Sequence, residues 1–263
     1  MMNFRRMNYD KKDRLCNSAL SLVLLGLFMS PPSQADTLSV TLPAVQTTLS
    51  YEHPVRLDRV FTDAIAQSGG VSPAQYFVAN KLFNLDKAEQ INQLKQQVLE
   101  QLNALALERS KFKTSSELLA RQIESWNVAY RENLNLDFDV IRTQPTANPM
   151  LSGHFALVAE NRSSLVNIEG LVFQPQPLNF SSNLTLRDYI NQVDIFSSAH
   201  PSYAWVIYPD GHTIRVGYAQ WNEEIIQLTP NSVIFLGFDS DSDHTLKLEE
   251  QIVKLITMRT NIK

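Results

Sequence analysis

Twice along this chain the apolar residues recur at every second position and then switch to every third and fourth. That repeated change of period constrains the fold more than any other feature. Leu38, Val40 and Leu42 alternate with Ser39 and Thr41, Pro43 interrupts, and alternation resumes over 47–51. This predicts two strands joined by a turn. Val55, Leu57, Val60, Phe61, Ala64 and Ile65 follow at helical spacing until Ser68-Gly69-Gly70 stops the run, which predicts a helix over about 56–67. The second pass reads residues 155–160 and 164–172 as strands, with Gly170 at a bulge or close approach. A helix over 184–193 follows, capped by Thr185 with Asp188 at its third position. Strands over 204–208 and 213–218 flank Pro209-Asp210-Gly211, where glycine supplies the positive φ of a hairpin turn, and 233–238 is a last strand.

Between the two passes lies a helical pair. Ile91, Leu94, Val98, Leu102 and Leu105 form one stripe free of Gly and Pro, with Asp86 and Glu89 spaced as a capping box. A second stripe starts at Thr114, with Glu117 three residues on, and carries Leu119, Ile123, Trp126 and Tyr130 after a break at 111–113. So short a link predicts an αα-hairpin, and ~20 residues at 1.5 Å each make an arm of about 30 Å. Its composition is polar outside the stripes, so the arm is expected to project from the body. The chain returns to strand-like patterning over 134–141 and then enters a turn-rich connector that closes at Gly153.

In the tail, Leu248, Ile252, Leu255 and Ile256 recur at helical spacing, with Val253 and Met258 beside them. Such a stripe is expected to dock on its own protein, and its mixed charges argue against a lipid surface. The predicted fold class is therefore α+β. It comprises two tandem β-grasp domains, at 36–152 and 153–238, a helical hairpin at about 86–130 inserted in the first, and an acidic linker with a C-terminal amphipathic helix over 239–263.

The N-terminus predicts where such a chain works. Arg5, Arg6, Lys11, Lys12 and Arg14 precede an apolar run over 20–29 that ends at Pro31-Pro32-Ser33-Gln34-Ala35. A positive head, a short apolar middle and small residues at the cut are the parts of a secretory signal peptide, with cleavage expected after Ala35. About ten apolar residues fall short of the ~20 that cross a hydrocarbon core, so export of a soluble product is expected, without stable membrane insertion. Cys16, the only cysteine, precedes the apolar run, so neither lipidation nor a disulfide is expected in the 228 residues that remain of 263. The signal segment holds five of the 23 Lys and Arg, so the mature chain is more acidic than the whole-chain charge of −4. Neutralising phosphates needs clustered cations, so no nucleic-acid partner is expected.

Motifs for chemistry are sparse. His53, His154, His200, His212 and His244 show no metal-ligand spacing, and G-x-S-x-G is absent. Asp239, Asp241 and Asp243, with Glu250 beyond, imitate a calcium loop, but His244 replaces its glycine and Lys247 stands at its ninth position. A solvated acidic linker is the better reading. No metal and no cofactor is predicted, and two acids meeting in space to cleave a glycoside is a matter on which sequence is silent. Tyr203, Trp205, Tyr208, Tyr218 and Trp221 could stack on sugars, but alternating aromatics more often belong to a core, which is expected for at least half of them.

The order of these elements resembles the GfcC-like family of periplasmic capsule-biosynthesis proteins. The segment from Arg142 to Gly153, read as R-x5-N-P-x-L-x-G, carries the likeness, with Leu236-Gly237-Phe238, Gln251-Ile252-Val253, Val40-Thr41-Leu42-Pro43 and Thr48-Leu49. The resemblance implies a role in making or exporting a surface polysaccharide of the group 4 or O-antigen capsule kind in a Gram-negative periplasm. It also implies SLBB-like β-grasp domains arranged as in Wza-type outer-membrane export proteins, with a terminal helix similar to the one those exporters use for their channel. An arginine ahead of the R-x5-N-P segment is associated with a cleft in the family, and Arg131 falls at that offset. Arg131 and Arg142 are the candidate binding residues, since a guanidinium offers five fixed donors to a carboxylate, phosphate or sugar hydroxyls. Pairing with Asp137 or Asp139 is the structural alternative. The expected partners are the polysaccharide, an outer-membrane export protein, or both, in a non-catalytic accessory role. The alternative is an enzyme that modifies the polysaccharide in the periplasm.

Overall fold

In a computed structural model of the chain, residues 37–68 and 72–260 are described. The expected signal peptide and its cleavage point lie outside the described residues. The fold is mixed α+β, with two five-stranded sheets in one compact unit.

Strand β1 (Leu38–Leu42) turns through Gln46, at a φ of 52°, into β2 (Thr47–Tyr51), and the two pair antiparallel from Leu38↔Tyr51 to Leu42↔Thr47. Short β3 (Val55–Arg56) leads into α1 (Leu57–Gln67), which buries Leu57, Val60, Phe61 and Ala64. Then come β4 (Lys81–Asn84), α2 (Ala88–Glu108), α3 (Lys113–Glu124), β5 (Tyr130–Arg131), α4 (Phe138–Thr143), β6 (Met150–Leu151) and β7 (Gly153–Val158). The first sheet runs β2-β1-β7-β4-β5, parallel only between β1 and β7. Helices α1 and α4 cover it, with Phe61 stacked on Phe138 at 5.9 Å.

The second half supplies β8 (Leu165–Gly170), β9 (Gln176–Asn179), α5 (Leu186–Ile190), β10 (Tyr203–Ile207), β11 (Thr213–Gly217), β12 (Val233–Leu236) and α6 (Asp243–Thr257). Its sheet runs β11-β10-β12-β8-β9, parallel only between β8 and β12. Numbered from its own first strand, each sheet has the order 2-1-5-3-4 with first and last strands parallel. Thr185 and Asp188 form the expected capping box on α5. Gly170, at a φ of +92°, lets the Leu236 carbonyl approach to where a Cβ would stand 2.3 Å away. Strands β4 and β9 were not anticipated: β4 has no alternation in burial, and Pro177 masks β9.

Four expectations are corrected. Residues 153–158 do not open the second domain; β7 is the central strand of the first sheet, bonded to β1 and β4. The connector before it is a bend that serves α1. Asn148 Oδ1 accepts from Asp58 N at 3.0 Å and the Pro149 carbonyl accepts from Leu57 N at 3.0 Å, satisfying donors at the helix start. Residues 134–141 are not a strand: Asp137 caps α4 by accepting from Asp139 N. Asp86 does not close a capping box with Glu89, because its carboxylate accepts from the backbone N–H of His154 and faces that ring. Asn84 instead accepts from Asp86 N.

The fourth correction concerns the arm. Helices α2 and α3 pack together, and Lys95 in the first half of α2 reaches the carbonyls of Glu124, the last residue of α3, and of Trp126 just past it, so the pair is antiparallel. It does not project. Ile91, Val98, Leu102, Leu105, Leu119 and Ile123 share one core with Leu248, Ile252, Val253 and Ile256 of α6 and with Ile207, Val233 and Phe235 of the second sheet. Burying each such side chain contributes about 1.5–3 kcal/mol, enough to hold the pair down. The polar residues coat only its outer face. The docked terminal helix agrees with expectation and joins the helical pair to the second sheet.

Candidate functional site

Where the two sheets meet, three charged side chains converge from neighbouring strands. Lys81 opens β4 opposite Val158, Glu160 stands just past the end of β7, and Arg131 ends β5 opposite Phe83. Lys81 Nζ donates to Glu160 Oε1 at 2.9 Å, with the lysine side chain only 4 % exposed. Burial pulls the Lys81 pKa below its ordinary value, and the Glu160 charge opposes that pull. Together with Asn167, Pro209 and Ile256 these residues line a cleft of about 180 Å³.

Arg131 is largely buried, which lowers its pKa, while the charges of Asp210 and Glu160 act the other way. Its Nη2 donates to the Pro209 carbonyl at 2.9 Å and lies 3.4 Å from the Asn80 carbonyl. A second cleft, of about 340 Å³, opens on its far side between Asn80, Asn133 and Asp210, so the guanidinium forms a wall common to both. Asn80 Oδ1 is buried there without a hydrogen-bond partner among the described residues.

Arg142 is elsewhere. It lies on the exposed face of α4, paired with Asp139 at 2.9 Å and set over the Phe138 ring at 5.2 Å. The structure therefore does not bring the two candidate arginines together. For Arg142 it gives the structural alternative, and for Arg131 it gives neither expected carboxylate but backbone carbonyls.

The acidic run is distributed among cations: Asp239 meets Lys111, and Asp241 meets Arg215 at 2.9 Å. His200 is buried, its Nδ1 accepting from the N–H groups of Ser202 and Tyr203 and its Nε2 facing Asp241 at 3.3 Å. Burial holds its pKa below the ordinary value. Among the described residues no cluster of three His, Cys, Asp or Glu could hold a metal ion. Of the five aromatics, Tyr218 is core, Trp205 and Tyr208 pack at core margins, Tyr203 lies under Arg215, and Trp221 is 78 % exposed.

Sequence reasoning missed a larger cleft, of about 480 Å³, which shares Asn167 and Pro177 with the Lys81–Arg131 cleft. Along it lies a buried ion pair: Arg259, just past α6, donates to Glu169 of β8 through two nitrogens at 2.7 and 2.9 Å, and its guanidinium sits 4.7 Å from the Trp126 ring. Glu169 was visible as the lone charge in an otherwise uncharged strand, a pattern that signals a buried partner.

Comparison with known proteins follows the same division. Residues 34–162 match the family model described as capsule biosynthesis GfcC, N-terminal, and residues 174–261 match capsule biosynthesis GfcC C-terminal. The first span includes β7, in keeping with its place in the first sheet. The chain is also similar to the uncharacterized protein YjbG of Escherichia coli (strain K12), 32% identical over 143 residues, which are 54% of this chain and 58% of that protein.

Proposed function

Because this chain belongs to the GfcC family of capsule-biosynthesis proteins, we propose that it is a periplasmic accessory protein for making or exporting a surface polysaccharide. On this reading its two sheets are β-grasp domains, and its role is to bind the glycan or the export machinery without altering a bond. The observation that carries the proposal is the groove where the two family domains meet, since a wall of it, Arg131, is held by a carbonyl of the other domain. A groove lined by Arg131, Asn80, Asn133 and Asn167 offers fixed donors and amide acceptors to hydroxyls or a carboxylate. The carboxylates beside it are committed, Glu160 to Lys81 and Glu169 to Arg259, which favours binding over acid–base work. That both acids line connected clefts gives the enzyme reading its one foothold.

Deleting the gene in its host, with surface polysaccharide amount, chain length and attachment measured, tests the role. A change in any of the three is expected, and no change in all three removes the proposal. Purified protein incubated with host polysaccharide is expected to leave its mass unchanged; altered products would favour the enzyme. Fractionation with sequencing of the mature N-terminus is expected to place the chain in the periplasm, beginning at Asp36.

A further inference from the structure

We infer that the cleft between the end of α3 and strands β8 and β9 is a binding site for an uncharged stretch of oligosaccharide. The inference rests on the polysaccharide reading above and assigns a ligand class to a part of the molecule distinct from the Arg131 end. Three observations carry it.

The first is the chemistry of the lining. Gln122, Asn167 and Gln176 face this cleft half-buried, and none of their side-chain amides has a hydrogen-bond partner among the described residues. Three amides not committed to protein partners around a single concavity leave their donors and acceptors available to a ligand that replaces water there. Amides both donate and accept, as sugar hydroxyls do.

The second is charge. Glu169 and Arg259 are both more than nine-tenths buried, and their two-point pair neutralises both ions. Arg259 Nε is buried and has no partner among the described residues. The cleft thus has polar walls with no uncompensated ion of either sign, which disfavours a phosphate, a uronic acid or an amine and favours a neutral polyol. The Arg131 end, with a guanidinium held only by carbonyls, has the opposite character.

The third is shape. Trp126 and the rings of Pro175 and Pro177 give the cleft apolar surface beside its amides, and sugar rings present both C–H faces and hydroxyl edges. At about 480 Å³ the cleft falls within the roughly 300–1,000 Å³ of small-molecule sites, room for a short run of sugars.

The test uses the full mature chain and host surface polysaccharide, partially hydrolysed and divided on an anion exchanger into neutral and acidic oligosaccharides. Each fraction is titrated calorimetrically. The neutral fraction is expected to bind, Gln122→Ala/Gln176→Ala is expected to weaken it at least tenfold, and Asn92→Ala, an exposed amide on α2, less than twofold. Circular dichroism reports the fold of each variant, and Gln122→Ala alone, a single change in the last turn of α3, repeats the test should the pair misfold. Binding of the acidic fraction alone, or neutral binding indifferent to both glutamines, overturns the inference. If gene deletion still alters surface polysaccharide, the accessory role survives that outcome. If deletion alters nothing while the neutral fraction binds the cleft, the role fails and the site stands.

Discussion

Arg131 and Gly211 are fitted to each other across the boundary between the sheets. The guanidinium at the end of β5 lies over the turn between β10 and β11, where a Cβ on Gly211 would come within 3.2 Å of Nη1. Gly211 is also at a φ of +94°, so the same glycine turns the hairpin and leaves room for the arginine. The Pro209 carbonyl then accepts from Nη2.

Replacing Arg131 should therefore weaken the joint between the halves as well as any ligand contact. A hydrogen bond to a charged group contributes about 1.5–3 kcal/mol, so Arg131→Ala is expected to lower unfolding free energy by that order. Urea denaturation checks it, and an unchanged midpoint would show that the residue serves a ligand alone.

The Glu169–Arg259 pair ties the chain just past α6 to the second sheet. Breaking a buried pair on one side leaves an uncompensated charge and costs about 3–5 kcal/mol, whereas removing both charges is often nearly neutral. Glu169→Gln and Arg259→Met are each expected to destabilise strongly, and the double variant to recover most of the loss. A double variant no better than the singles would show that the charges do not compensate each other.

How far the sequence disclosed this arrangement depended on the range of the forces involved. The hairpin of β1 and β2, helix α1, the Thr185 cap and the turn at Gly211 depend on residues a few positions apart, and alternation or capping spacing revealed them. Strand β7 did not look like part of the first sheet because its neighbours β1 and β4 are bonded to it from over 70 residues away. Gly237, in one of the stretches that carried the family resemblance, gained its reason only from Glu249, whose carboxylate stands where a Cβ would fall. Of the groove, Arg131 was legible and Lys81, Glu160 and Arg259 were not, since ion pairs closed by the fold leave no local spacing; Glu169 left a single signal, its isolation as a charge in an otherwise uncharged strand.

The docked helical pair makes a contrast between two leucines on α2. Leu102 is fully buried against α6 and the second sheet, and Leu107 is 87% exposed. Leu102→Ala is expected to cost about 2–5 kcal/mol as a cavity in a shared core. Leu107→Ala should lie within about 0.5 kcal/mol of the parent. Equal, small effects by thermal unfolding would mean that the pair stands free in solution.

Glu249 gives the fold a pH dependence of unusual sign. Its carboxylate, on α6, accepts from Phe238 N at 2.7 Å and from Trp205 Nε1 at 2.8 Å, seating the helix on the second sheet. Burial pushes its pKa up from 4.5 and outweighs those two donors, which act to lower it. A carboxyl group with a raised folded pKa holds its proton longer in the native state than in the unfolded one. Its contribution to stability is complete below about pH 4.5 and is lost as pH rises through the folded pKa, by at most about 1.4 kcal/mol per pH unit. Glu249→Gln cannot titrate, and because the two donors reach different oxygens its amide nitrogen would face one of them, so it should cost about 1 kcal/mol at low pH. The substitution should also flatten this part of the profile above pH 4.5. Denaturation midpoints of parent and variant, compared from pH 4 upward, decide the matter: curves that run parallel over the whole range would mean that Glu249 titrates normally and that the seat of α6 carries no buried acid.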